Sequence, residues 1–410
     1  MKTRNYALVT SGYWAFTVTD GALRMLVLLH FHELGYSPVA IAFLFLAYEF
    51  MGIVTNLLGG WVGARTGLNR TLVAGLGLQI VALVALTSQQ ASWHEWASVS
   101  FVMAAQALSG VAKDLTKMSS KSAVKAVAGT GDGTLFRLVA ILTGSKNALK
   151  GVGFFIGAAL LSSIGYDAAL WAMAGALLVT LVAIVILLDE EIGRSKKKPP
   201  LRSVLSKSTA VNRLSAARLF LFGSRDIWFV VALPVFLDEQ LGWSYAGIGA
   251  FMASWIIGYG IVQSFAPRLL RRRGRLDEVQ AARTWALILA AVSGAIALVV
   301  SLEVAVSAMI VGGLVVFGVV FALNSSLHSF LILAYADDED VALDVGFYYS
   351  ANAAGRLVGT LLSGVLYLWG GLEVALWGSA AFVGITWLLA LRLPPLPMIA
   401  SQETATVSNA

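Results

Sequence analysis

The apolar positions of this chain fall into runs of about 20 residues, the length that carries an α-helix across a hydrocarbon core. Six runs occupy the first half, at 6–30, 38–61, 71–88, 97–118, 136–162 and 168–188. A basic, proline-containing stretch, GRSKKKPPLRSVLSKSTAVNR, interrupts them. Six more follow at 214–237, 245–266, 280–301, 304–330, 343–369 and 373–391, and then a polar tail. The pattern predicts an all-α, polytopic membrane protein with 12 transmembrane helices. Its units would be an N-terminal six-helix bundle (1–188), a cytoplasmic linker (189–213), a C-terminal six-helix bundle (214–392) and a cytoplasmic tail (393–410).

Charge between the runs sets the orientation. Lys2, Arg4, Arg65, Arg70, Lys121, Lys125, Arg137, the linker, Arg268, the Arg271–Arg273 run, Arg275 and Arg392 alternate with connections that hold Glu33, Glu95, Asp167, Asp238, Glu239, Glu303 and Glu373. The positive-inside rule puts the basic set, and with it both termini, in the cytoplasm. The acidic Asp337–Asp340 run is an exception on that side, but acids weigh little in the rule.

Composition narrows the class further. With 58% hydrophobic and 13% charged residues, the chain is no soluble domain. It has no cysteine, so disulfides and thiolate metal sites are excluded, and its four histidines lack metal-ligand spacing. Neither a cofactor nor a nucleic-acid partner is expected. The net charge of +6 is small for this length, and where it sits matters more than its size.

The two halves share a register. Leu34-Gly-Tyr-Ser37 matches Leu241-Gly-Trp-Ser244 at an offset of 207, and Arg65-Thr-Gly67 matches Arg272-Arg-Gly274. At 206, Lys150 falls on Arg356, Gly153 on Gly359 and Lys146 on Asn352. Two parallel six-helix repeats around a midplane site resemble the major facilitator architecture. The loop Gly59-Gly-Trp-Val-Gly-Ala-Arg-Thr-Gly67-Leu-Asn-Arg70 is similar to that superfamily's signature between its second and third helices. Gly60, Arg65 and Gly67 would form the cytoplasmic gate, although Ala64 replaces the usual Asp.

Charges inside the runs need a reason, since each costs on the order of 2.5–3.5 kcal/mol at mid-bilayer on insertion scales. Lys146 and Lys150 are four apart on the fifth run and share a helix face. Asp344, Tyr348, Asn352 and Arg356 form a polar stripe on the eleventh. Asp20 and Arg24 can pair on the first, Glu49 has no partner within a turn, and Lys113 lies toward the interior of the fourth. Lys117 reads as snorkelling to the interface, and Arg218 as belonging to the cytoplasmic end. Arg225 and Asp226 are adjacent and point to different faces. His328 sits in a polar cluster with Asn324, Ser325 and Ser326, where an interhelical hydrogen bond is expected. Interior cations (Arg24, Lys113, Lys146, Lys150, Arg225, Arg356) outnumber acids (Asp20, Glu49, Asp114, Asp226). Uncompensated positive charge in a low dielectric favours an anionic cargo. The expected substrate contacts are Arg24, Lys146, Lys150, Tyr348, Asn352, Arg356, Lys113 and Arg225, with Asp20, Glu49 and Asp226 as proton-coupling candidates. From the residues alone the cargo is an organic anion or phosphate ester. A drug exporter, a non-transporting sensor and a membrane-embedded enzyme stay open.

Four stretches, TVTDGALRMLVLLHFHELGYSP, YEFMGIVTNLLGGWVGARTGLNR, QALSGVAKDLTKMSSKSAVK and AILTGSKNALKGVGFF, together resemble the ArsJ-type organoarsenical efflux permeases of bacterial arsenic-resistance operons. The likeness is dense over the first 165 residues and thinner afterwards. It implies a monomeric permease in the bacterial inner membrane that exports 1-arseno-3-phosphoglycerate. A functional partner, glyceraldehyde-3-phosphate dehydrogenase, would make that ester. Lack of cysteine suits pentavalent arsenic as an oxyanion ester, whereas trivalent arsenic favours thiolates.

Overall fold

The structure is a computed structural model that describes residues 2–66, 68–90, 92–128, 134–188, 208–270, 278–303, 306–335 and 341–396. Its regular structure is helical throughout. The first half holds α1 (Lys2–Glu33), α2 (Pro38–Thr66), α3 (Leu68–Leu86), α4 (Glu95–Ala128), α5 (Thr134–Ile164) and α6 (Tyr166–Leu187). The second holds α7 (Thr209–Phe229), α8 (Ala232–Glu239), α9 (Tyr245–Leu270), α10 (Glu278–Ser301), α11 (Val306–Tyr335) and α12 (Val341–Leu391). Helix α7 opens at Thr209, inside the stretch expected to be linker. The Ser208 hydroxyl caps it by accepting the Val211 amide at 3.2 Å.

Helices and membrane spans do not correspond one for one in the second half. Pro234 has no amide to offer the Val230 carbonyl, and the seventh span breaks between α7 and α8. The freed amides of Val231 and Ala232 both donate to Ser363 Oγ, at 3.1 and 3.0 Å, as a broken helix in a membrane requires. Helix α12 supplies the last two spans, reversing at Gly370–Gly371, where Gly371 has φ 67°. Twelve crossings result, with both described ends on one side. Outward faces are apolar: Val179, Val182, Val185 and Ile186 of α6 are exposed, as residues against lipid should be.

The duplication is visible in detail. Helix α1 packs on α4, α5 and α6, as α7 packs on α11 and both arms of α12. The α2–α4 and α3–α4 contacts recur as α9–α11 and α10–α11, and the halves meet along α2–α12 and α5–α9. Gly35 and Gly242 both turn the chain with positive φ, 81° and 63°. Two residues later the Ser37 and Ser244 hydroxyls each accept an amide of the next helix at 3.2 Å. Beside these turns His32 Nε2 lies 3.0 Å from Asp238 Oδ2. At the 207 offset of these turns the repeat equivalent of His32 is Glu239, next to Asp238, so the two equivalent turns meet across the pseudo-two-fold axis.

The same register aims the site. A Cβ on Gly153 would sit 2.4 Å from Val18 O, and one on Gly359 would sit 2.6 Å from Gly223 O. Each glycine thus lets the fifth helix of its half press on the first. Three residues before them stand Lys150 and Arg356, one turn away and turned toward the same neighbour.

Candidate functional site: a buried charge cluster between the halves

Lys150 and Arg356 both find an acid on the first helix of their own half. Lys150 Nζ lies 3.7 Å from Asp20 Oδ2, and Arg356 Nε lies 3.1 Å from Asp226 Oδ2. Asp226 is 206 residues after Asp20, and Arg356 is 206 after Lys150. The two ion pairs are therefore repeat equivalents.

Around them the network is continuous. Tyr48 donates its hydroxyl to Asp20 Oδ1 at 2.6 Å. Glu49 Oε1 accepts from Arg24 Nη2 at 2.8 Å and from Arg356 Nη2 at 2.6 Å, which ties α2 of one half to α12 of the other. Arg225 Nε donates to Asp226 Oδ1 at 2.7 Å. Lys113 Nζ stands 4.1 Å from the centre of the Tyr48 ring, and the Arg24 guanidinium 5.1 Å from that of Phe45. Positive charges on Arg24, Lys113, Lys150, Arg225 and Arg356 face negative ones on Asp20, Glu49 and Asp226, and two positive charges are left over.

Exposure separates the signs. Glu49 and Asp226 side chains are fully buried and Asp20 keeps 8% exposure, whereas Arg24, Lys150, Arg225 and Arg356 keep 11–15%. The acids lie deeper on the whole, and the accessible surface of the cluster is mostly cationic. Such a surface attracts an anion and repels a cation.

Several expectations need correcting. Asp20 and Arg24 do not pair: their helix brings Arg24 to Glu49 and Asp20 to Lys150. Glu49 is not isolated, because α12 delivers a second guanidinium to it. Arg225 and Asp226 do bond to each other, since the long arginine side chain folds back around the helix. Lys117 does not snorkel away. It donates to Asn56 Oδ1 at 2.9 Å and lies 3.5 Å from Asp114, which also accepts from Thr55. Arg218 is buried rather than at an aqueous helix end. Tyr348 and Asn352 leave the stripe they share with Arg356. Asn352 Oδ1 accepts from Arg218 Nε at 2.9 Å, and the Tyr348 ring packs 5.1 Å from the Arg218 guanidinium. His328 makes no hydrogen bond to protein. Lys146 is partly buried one turn before Lys150 and is engaged there. The gate positions Gly60, Arg65 and Gly67 lie outside the residues whose side chains are described.

Two participants had a sequence signal that went unread. Arg218 lies two turns before Arg225 and so shares a face with it. Tyr48 directly precedes Glu49 in sequence, and its hydroxyl holds Asp20.

The family model described as Major Facilitator Superfamily matches residues 9–327 and 214–407. No curated protein matches. Among solved structures, a bacterial homologue of the iron transporter ferroportin, in its inward-facing state, superposes with a TM-score of 0.70 at 17% identity, covering 95% of this chain and 98% of that one. The human organic anion transporter MFSD10 (TETRAN) superposes with a TM-score of 0.67 at 15% identity, covering 95% and 99%. At these identities the likeness is one of fold.

Proposed function

The chain belongs to the major facilitator superfamily, and from that premise we propose that this membrane transporter exports organic polyanions, with 1-arseno-3-phosphoglycerate as its cargo. One observation carries the reading: the central cluster buries its acids and presents its cations. A cationic cargo needs the reverse arrangement. The resemblance of the first 165 residues to organoarsenical permeases supplies the identity of the anion.

In this reading Lys150 and Arg356 receive the oxyanion groups at matching depth in the two halves. Arg offers a planar fork and Lys a compact charge. Arg24, Lys113 and Arg225 complete the positive surface, and Lys146 adds to it from the cytoplasmic side. Asp20, Glu49 and Asp226 are internal counter-anions that hold the cations while no cargo is bound, and they are the carriers of any coupled proton. Substrate competes with Glu49 for Arg356, so binding loosens an ion pair that crosses between the halves. Rocking of the two bundles then exposes the site to the other face. Outward movement of each negative charge gains about 2.3 kcal/mol per 100 mV of membrane potential.

The test co-expresses the chain with glyceraldehyde-3-phosphate dehydrogenase in arsenate-sensitive bacteria and measures growth and intracellular arsenic. The reading expects resistance and lowered arsenic only when both proteins are present. Unchanged sensitivity with confirmed membrane expression overturns the arsenic identity.

A further inference from the structure

One turn toward the cytoplasm from the central cluster lies a second polar group that the ion-pair network does not use. Its centre is Arg218 of α7, 4% exposed. Arg218 donates through Nε to Asn352 Oδ1 at 2.9 Å and through Nη1 to the carbonyl and hydroxyl of Ser325 at 3.1 and 3.2 Å. Its guanidinium stacks 3.9 Å from the Phe222 ring centre. No carboxylate lies within ion-pair distance of it among the described residues. A buried guanidinium without a counter-charge is costly unless an anion supplies one.

The surroundings carry polar groups that protein leaves unsatisfied. Both ring nitrogens of His328 and Oδ1 of Asn324 are buried and make no hydrogen bond to protein, and the buried hydroxyl of Tyr348 has only a loose contact with Ser329. His328 lies within electrostatic reach of Arg218, and the Tyr348 ring is 5.1 Å from it. Most buried polar atoms find a partner, so several orphans around one unpaired cation point to a ligand rather than to packing. The group also borders the other half. Gln263, which reaches Ser325, accepts from Asn147 of α5 at 3.2 Å, and Tyr349 stacks with Lys117 of α4 at 5.0 Å.

We propose that Arg218, with His328 and Tyr348, is a second oxyanion subsite, so that the transporter selects cargo with an anionic group at each end of a short carbon chain. The spacing fits. Asn352, which holds Arg218, is one helical turn from Arg356, about 6 Å along α12. Arg218 is two turns from Arg225, about 10 Å along α7. A three-carbon backbone with an oxyanion at each end spans such a gap. Tyr348 and His328 donate to the oxygens, and Arg218 Nη2, which has no protein partner among the described residues, supplies the charge-assisted bond. This rests on the anion reading of the central cluster, which would hold the other end.

Binding to the purified protein is measured by calorimetry with two probes. Glycerol 1,3-bisphosphate carries a phosphate at each end of its three carbons, and glycerol 3-phosphate carries one. Wild type should bind the bisphosphate about tenfold more tightly, the gain of one charge-assisted contact. Arg218→Gln should bring that ratio to about unity while leaving glycerol 3-phosphate affinity unchanged. Tyr348→Phe removes only a hydroxyl whose one protein contact, with Ser329, is loose. It should keep or raise the melting temperature and weaken the bisphosphate about threefold, with the monophosphate unmoved. Should Arg218→Gln fail to fold, Tyr348→Phe decides alone. Equal wild-type affinity for the two probes, or variants that weaken both probes alike or neither, overturns the subsite and leaves the central reading standing. Wild type that binds neither probe overturns both.

Discussion

Glu49 takes both of its cations through a single carboxylate oxygen, Oε1, and leaves Oε2 buried without a partner. A permanent structural bridge would use both oxygens. A counter-ion that gives way to cargo needs only one grip. Glu49→Gln therefore removes a competitor, and transport assays should show the apparent KM for an organic anion falling about tenfold, the scale of one charged hydrogen bond. Lys150→Ala and Arg356→Ala act oppositely. Each removes a receiving cation and strands a buried acid, which costs about 3–5 kcal/mol when unrepaired. Export should fall at least tenfold in both. Pairing each with its acid, Lys150→Ala with Asp20→Asn and Arg356→Ala with Asp226→Asn, should restore folded protein but not export. Restored export in either double variant would show that the pair is structural.

Glycine spacing at the helix crossings places those residues. Gly153 and Gly359 admit the carbonyls of Val18 and Gly223 to within 2.4 and 2.6 Å of where a Cβ would be. Gly153→Ala forces α5 off α1, at about 1–3 kcal/mol by the usual cost of overpacking, and should lower the melting temperature by several degrees while impairing export. Gly77 of α3 has open space at its Cβ, so Gly77→Ala should be neutral or slightly stabilising. This scale also explains what could be read in advance. Lys146 with Lys150, and Asn352 with Arg356, lie on single helices, where spacing alone fixes the shared face. The 206-residue offset then joined Lys150 to Arg356. The partners Arg24–Glu49 and Asp20–Lys150 depend on which helices touch, and no local pattern encodes that. Arg218 looked terminal by its distance from the linker, but α7 begins at Thr209 and carries it two and a half turns into the bundle.

At the scale of the molecule, the halves are held together along α2–α12 and α5–α9, and at the outer face by His32 with Asp238 across the pseudo-two-fold axis. Gly364 receives Pro38 near that face, and Ser350 donates to Ile53 O at 3.1 Å further in. Alternating access has to part the outer contact. The chain has no cysteine, so His32→Cys with Asp238→Cys, bridged by a bifunctional thiol reagent, should stop export and recover on reduction. Export that continues through the bridged protein would mean that the outer ends do not separate. Under the proposed function, a polyanion carried past this net positive cluster makes the cycle electrogenic. Solid-supported-membrane electrophysiology on reconstituted protein tests that claim most directly, using concentration jumps of glycerol 1,3-bisphosphate and of an organic cation. The bisphosphate should evoke a transient current with the sign of moving negative charge, lost in the Lys150→Ala, Arg356→Ala double variant, and the cation should evoke none. A current on the cation jump, or an undiminished anion current in the double variant, would contradict it.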